Sequence, residues 1–325
     1  MNPLVTVRDL RISFPTETGT STPVDGVTFT LARGETLALV GESGCGKTLT
    51  SLALLRLVPS PGRIEPGSSL HFGDQDILAM DSRALRSMRG KHLAMVFQDP
   101  MTSLNPVFTA GAQIVETIQA HESVTQKAAR DRALALLREV GIPDPANRID
   151  QYPHEMSGGM RQRVMIAMAL ATGPEVLIAD EPTTALDVTV QAQILEILDR
   201  LQASHGLAIL LITHDLGIVA DHADRVAVMY AGRIVEEAET GALFTKPTHP
   251  YTQGLLNSVP RLTGPRRPLV PIPGAVPDPA RWPSGCRFHP RCPKVMPRCQ
   301  ADDPPRFAMD HEHHAACWLV EDAPA

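Results

Sequence analysis

The chain has 325 residues, 43% hydrophobic and 20% charged, with a formal net charge of -6. That length supports one large core with an appendage or two ordinary domains, and the mixed charge excludes a general polyanion binder, so nucleic acid is not the default partner. No run of 18 apolar residues occurs, and the opening Met-Asn-Pro-Leu-Val lacks the basic and apolar parts of a secretory leader, so we expect a cytosolic chain that reaches a membrane only through a partner.

Two alternating runs, residues 4–14 and 23–31, predict antiparallel strands of a small β layer joined by a Thr-, Gly- and Ser-rich hairpin loop. The apolar run Thr36-Leu37-Ala38-Leu39-Val40 predicts a buried strand, followed by a Gly-rich turn and a helix from Lys47 to about Val58. Further strands are predicted at residues 93–97, 175–179 and 207–213, and helices at 125–140, 157–171 and 188–205. Strands separated by helices imply a mainly parallel α/β sheet up to about residue 240. From Lys246 onward proline becomes frequent (Pro260, Pro265, Pro268, Pro271, Pro273, Pro277, Pro279, Pro283), which excludes long helices and predicts an extended segment wrapped on the main domain.

Gly41-Glu42-Ser43-Gly44-Cys45-Gly46-Lys47-Thr48 has the spacing of a phosphate-binding loop and stands between a predicted strand and a predicted helix. Glycines let backbone N–H groups turn toward phosphate oxygens, and the start of the helix, through Leu49, adds a positive dipole end. Lys47 would reach the β and γ phosphates of ATP, and the Thr48 hydroxyl would ligate Mg²⁺. Cys45 reads as a small spacer with incidental reactivity, the alternative being a thiol made more acidic by the helix N-terminus.

The strand Val176-Leu177-Ile178-Ala179 ends in Asp180-Glu181-Pro182, and neighbouring strand residues point to opposite sides, so the two acids can do different work. Asp180 is the expected Mg²⁺ ligand, directly or through water, and Glu181 the group that polarises the attacking water. His214, beside Asp215 after the strand at 207–213, is expected to contact the γ phosphate or that water.

Met156-Ser157-Gly158-Gly159-Met160-Arg161-Gln162-Arg163 opens a helix with a serine and two glycines, leaving N–H groups for an anion that a single phosphate loop does not need. In the order of its parts the chain resembles the ABC ATPases over about residues 4–240. Phe14 matches the adenine-stacking aromatic of that family, Gln98 the glutamine over the metal, Ala185-Leu186-Asp187 the dimer-contact loop and His214 the switch histidine. Met160 departs from the commoner Gln, and Arg161 also reads as a plain surface charge. The resemblance implies a P-loop NTPase fold of the ABC ATPase type, α/β, with an antiparallel β subdomain, an α-helical signature subdomain at about residues 99–172, and a Pro/Cys-rich C-terminal extension. The expected domains are residues 1–240 and 241–325. It also implies head-to-tail dimers, in which Ser157, Gly158 and Gly159 meet the γ phosphate held by the partner ATPase subunit.

The stretch Gln98-Asp99-Pro100-Met101-Thr102-Ser103-Leu104-Asn105-Pro106, the stretch Lys246-Pro247-Thr248-His249-Pro250-Tyr251-Thr252 and the run from Gly285 to Pro293 resemble the oligopeptide and dipeptide importer branch, some members of which take nickel or other small solutes. That branch implies two membrane permease subunits, a second ATPase subunit in a heterodimer as the first reading with a homodimer left open, an extracytoplasmic solute-binding protein, and a peripheral place on the cytoplasmic face of the membrane. Cys286, Cys292, Cys299 and Cys317 offer four soft ligands whose spacing lacks the close pairs of structural zinc and suits an iron–sulfur cluster better. A 4Fe-4S cluster is the first reading, as some relatives imply. Zinc or free thiols stay open, with His311, His313 and His314 as further zinc ligands or as a solvated turn. DNA-repair ABC ATPases would need a long coiled coil and translation factors a second cassette, neither of which the sequence contains, and Glu181 argues against a sensor that binds ATP without turnover.

Overall fold

The computed structural model of the chain describes residues 3–17, 19–184, 186–258, 271–309 and 312–321, so Pro260, Pro265, Pro268, Ala185 and His311 lie outside the described residues. Two compact units emerge, one from the described parts of residues 1–32, 36–78 and 212–325, the other from residues 33–35 and 79–211.

In the first unit, Val5–Thr16 and Gly19–Leu31 run antiparallel, with Val5 opposite Leu31 and Thr16 opposite Gly19. Much of the stretch expected as a loop is therefore ladder, because its threonines are β-branched and fit an extended chain. Ser69–Phe72 and Arg63–Ile64 add to the same layer, each antiparallel to Val5–Thr16. Thr36–Val40 is buried along its whole length and runs parallel to Arg225–Tyr230, which in turn pairs antiparallel with Arg233–Glu239. The helix Lys47–Leu54 is shorter than its apolar pattern suggested, since the chain turns into a left-handed residue at Arg56 with φ +49°.

The strand Arg233–Glu239 carries two buried acids, and each has its own partners. Glu236, 1% exposed, accepts from the backbone N–H of Thr248 (2.7 Å) and of His249 (2.9 Å), and His313 Nε2 lies 2.8 Å from its carboxylate. Burial alone would raise its pKa, but these hydrogen bonds hold it below the ordinary glutamate value. Glu237 pairs with Arg225 Nε (3.1 Å) and Arg306 (2.8 Å). Buried carboxylates met in this way avoid the cost of an unpaired buried charge. On the far side of this strand lies His314–Ala315, which pairs antiparallel with Glu237 and Glu236 and with the short strand Phe307–Ala308.

The proline-rich part of this unit follows the expectation in part. Residues 271–283 form no helix or strand, and they rest on the hairpin through Thr22, whose N–H donates to the Pro279 carbonyl (3.1 Å) and whose carbonyl accepts from Trp282 Nε1 (3.0 Å). Ahead of them, Pro250–Asn257 is a short helix with proline in its first turn, a position where the missing N–H costs nothing. His249 caps it by accepting from the Tyr251 N–H (3.0 Å), and complete burial drops its pKa to about 4, so the ring stays neutral as the cap requires.

In the second unit, Leu93–Val96 runs parallel to Val176–Asp180, with Leu93 opposite Val176. Helices stand at Gln126–Glu139, Gly158–Leu170 and Val188–His205, close to their predicted spans, and the helices Ser82–Lys91 and Ala110–His121 are additional. Thr109, Thr125, Ser157 and Asp187 each cap a helix with a side-chain oxygen. Among the described residues no helix is long and apolar enough to cross a membrane.

Candidate nucleotide site and cysteine site

The phosphate-loop motif lies in the first unit, where Thr36–Val40 delivers the chain to Gly41. A Cβ on Gly41 would stand 2.1 Å from the Met229 carbonyl oxygen, and one on Gly46, at φ +105°, would stand 2.6 Å from the Pro23 carbonyl. Glycine is thus a requirement of close backbone packing at both ends of the loop. Gly46 precedes Lys47–Leu54, and no side chain caps that helix, which leaves its N-terminal dipole for an anion. Lys47, 5% exposed, donates from Nζ to the carbonyls of Gly41 (2.8 Å) and Glu42 (3.2 Å). Ser43, Gly44 and Thr48 are exposed, Leu49 is half-buried, and the half-buried Phe14 lays its ring against Gly62.

Cys45 follows the spacer reading and not the acidic-thiol alternative. Its thiol is buried, and that burial pushes its pKa up despite the charge of Lys47, so it is a spacer without a lowered pKa. Glu42, to which the sequence reading gave no role, is held by the C-terminal part of the chain: its N–H donates to Tyr251 Oη (3.0 Å), and its carboxylate accepts from both ends of the Arg291 guanidinium, at 2.6 and 3.0 Å. His214 is exposed just after Ala208–Thr213, and Asp215 beside it caps Leu216–His222 through a bond from the Gly217 N–H (2.8 Å).

The second unit holds the strand acids and the serine-led helix. Asp180 is 2% exposed at the end of Val176–Asp180, and Glu181 leaves the strand with φ +46°, a strained conformation for a residue with a Cβ. The Glu181 carboxylate accepts from Gln98 Nε2 and Thr184 Oγ1, both at 2.9 Å. The contact of Gln98 with the expected base was not foreseen. Ser157 caps Gly158–Leu170 through the Met160 N–H (3.3 Å). A Cβ on Gly159 would stand 2.6 Å from Val190 Cγ1, so helix packing demands that glycine whatever it binds. Asp187 caps Val188–His205 through the Val190 N–H (2.9 Å).

Back in the first unit, Cys286, Cys292, Cys299 and Cys317 line one small cavity with His249, Phe288 and Trp318, and all four are free thiols. Burial raises the Cys286 and Cys292 pKa values and takes Cys317 up to about 11, where the nearness of the other three thiols adds to the rise. Among the described residues no group of three or more His, Cys, Asp or Glu side chains is arranged to hold a metal ion. His313, read as part of a solvated turn or a zinc site, is instead buried against Glu236.

A strand-ended glycine loop with a buried lysine, a strand-ended acid pair and a serine-capped glycine helix define an ATPase of the ABC class. A model of the ABC transporter family matches residues 24–184, and one described as "Oligopeptide/dipeptide transporter, C-terminal region" matches residues 235–299. The chain belongs to the ATP-binding proteins of the ABC transporter family. It is 48% identical over 321 residues to the dipeptide transport ATP-binding protein DppD of Bacillus subtilis (strain 168), covering 99% of this chain and 96% of that one. It is likewise 48% identical over 321 residues to the DppD protein of Escherichia coli (strain K12), covering 98% of each. Among solved structures, cbiO1 from Clostridium perfringens, part of the ABC transporter complex cbiONQ, matches with a TM-score of 0.63 and 28% identity, covering 76% of this chain and 92% of that one.

Proposed function

We propose that the chain is the ATP-hydrolysing subunit of an importer that moves dipeptides or oligopeptides across the cytoplasmic membrane. The observation that carries this reading is the match to the peptide-transporter C-terminal region, joined to nearly half identity over the whole length of dipeptide-transport proteins. Gly41, Ser43, Gly44, Cys45, Gly46, Lys47, Thr48 and Leu49 hold the triphosphate, with Lys47 exchanging its two carbonyl acceptors for phosphate oxygens and Phe14 stacking on adenine. Thr48, Asp180 and Gln98 would hold Mg²⁺, which would supply neutralisation of phosphate charge. Glu181 polarises the attacking water, and His214 steadies the γ phosphate. Ser157, Gly158 and Gly159 present the capped helix start to nucleotide on a second ATPase subunit, which makes a heterodimer. Two permeases complete the transporter, and a solute-binding protein delivers the cargo from outside. Exposed Phe97, Met101, Val107 and Phe108 of the second unit support a permease-docking role. The ATPase therefore sits peripherally on the cytoplasmic face. Reconstitution with its permeases and binding protein is expected to give peptide-stimulated ATP turnover and peptide uptake. Uptake of nickel or another small solute with none of peptide would overturn the assignment.

For the cysteine site we propose an iron–sulfur cluster of the 4Fe-4S type. Four soft ligands on one cavity support it. A single tetrahedral ion with metal–sulfur bonds of about 2.3 Å needs its sulfurs about 3.8 Å apart, whereas a cluster spreads four thiolates over several irons and tolerates wider separation. Purified without oxygen, the chain is expected to be brown, to carry about four irons per chain, and to lose both on Cys299→Ser. A colourless, iron-free native protein sinks the proposal.

A further inference from the structure

Residue 42 of the phosphate loop has every polar group engaged. Its N–H is tied to the Tyr251 hydroxyl, its carboxylate to Arg291, and its carbonyl to the ammonium of Lys47. Neither partner from the tail is loose. The Arg291 side chain is 4% exposed, its Nε donates to the Pro273 carbonyl (2.8 Å), and its guanidinium lies 5.7 Å from the centroid of the Tyr230 ring. Tyr251 is fully buried and packs on Tyr230 (4.5 Å between centroids) and Phe288 (5.4 Å). A planar fork fixed at its stem can hold a carboxylate in one place and one orientation, which a lysine ammonium cannot do.

We infer that Arg291 and Tyr251 are positioning residues for ATP: through Glu42 the C-terminal extension presets the phosphate loop, and with it the acceptors that aim Lys47. The inference rests on the reading that the phosphate loop, through Lys47 and its neighbours, binds the triphosphate. It deepens that reading by giving the extension a part in nucleotide affinity. Pre-organisation of this kind lowers the ordering cost of binding, so its loss weakens affinity before it slows the bound state.

Simple electrostatics predicts the opposite sign at one position, which makes the test sharp. Glu42→Gln removes a negative charge beside the site of a polyanion, so charge alone would tighten ATP binding, whereas loss of the fork's grip weakens it. Equilibrium titration of the full-length chain with trinitrophenyl-ATP is expected to show binding about 5- to 20-fold weaker in both Glu42→Gln and Arg291→Gln, with the double variant no weaker than either alone, as for two groups that act through one contact. Arg291→Lys recovers only part of the loss. In the reconstituted transporter, KM for ATP rises in step while kcat at saturating ATP stays within about twofold. Glu42 is partly exposed and glutamine is its isostere, so this variant keeps the fold if Arg291→Gln does not, and circular dichroism melting checks both. Native or tighter affinity in Glu42→Gln, with binding abolished in Lys47→Ala, overturns this inference alone. Native binding in Lys47→Ala overturns the loop reading and this inference with it.

Discussion

Glu181→Gln is expected to lower ATP turnover by about 10²- to 10⁴-fold while leaving nucleotide binding intact, the range that general-base assistance supplies. The geometry favours a clean experiment. The Glu181 carboxylate is held by Gln98 Nε2 and Thr184 Oγ1, and a glutamine carbonyl can accept the same two bonds. What disappears is an anionic oxygen for the water. The backbone at Glu181 stays at φ +46° in either case, so the side chain is aimed as before. Steady-state turnover in the assembled transporter, beside nucleotide occupancy in the same preparation, checks the prediction. Equal turnover in variant and native protein would remove Glu181 from the role of base.

The second large effect is expected at Gly41. Gly41→Ala drives a methyl group to 2.1 Å from the Met229 carbonyl oxygen, at φ +156°, and neither the Thr36–Val40 strand nor its neighbour Arg225–Tyr230 can move without breaking their ladder. Strained backbone and overpacking together predict a loss of about 2–6 kcal/mol. Gly44→Ala is the matched control. Gly44 has φ +79°, but its added Cβ meets nothing within 4 Å, so about 1–2 kcal/mol for the left-handed conformation is all that is expected. Urea midpoints at unchanged m-value measure both. Similar midpoints for the two variants would mean that the loop yields at Gly41 and that the close approach is not a constraint.

The loop, the strand acids and the serine-led helix were readable from the chain because each is a short run of residues whose chemistry is local: glycines in sequence, acids at the end of an apolar strand, a helix cap. The helix Val188–His205 was readable for the same reason, its apolar period being uninterrupted. The strand Arg233–Glu239 was not singled out, since Glu236 and Glu237 interrupt its apolar pattern. They are tolerated inside because the Thr248 and His249 amides and His313 meet Glu236 and Arg225 and Arg306 meet Glu237, with His313 and Arg306 standing 77 and 69 positions away. The same remoteness hid the grip on Glu42, for nothing near residues 251 or 291 announces a partner more than 200 positions away. Gln98 was expected over the metal, and its bond to Glu181 again joins distant residues. Cys45 shows why the acidic-thiol alternative had to yield to the spacer. Nearness to a helix start is visible in a sequence, but the burial that outweighs it is not.

The narrow ribbon at His314–Ala315 has a consequence for the life of the protein in a crowded cell. It covers the middle of one side of Arg233–Glu239, opposite Glu236 and Glu237, helped by the Ala316 N–H bonded to the Val235 carbonyl at 2.8 Å. A chain clipped ahead of it would bare a row of unpaired amides and carbonyls, the template on which strands of separate molecules stack into aggregates. It would also strip Glu236 of His313 and leave an acid in an oily setting short of a partner. Residues 314–316 thus shield part of an edge that would otherwise be open to pairing with another chain, quite apart from the neighbouring sulfurs.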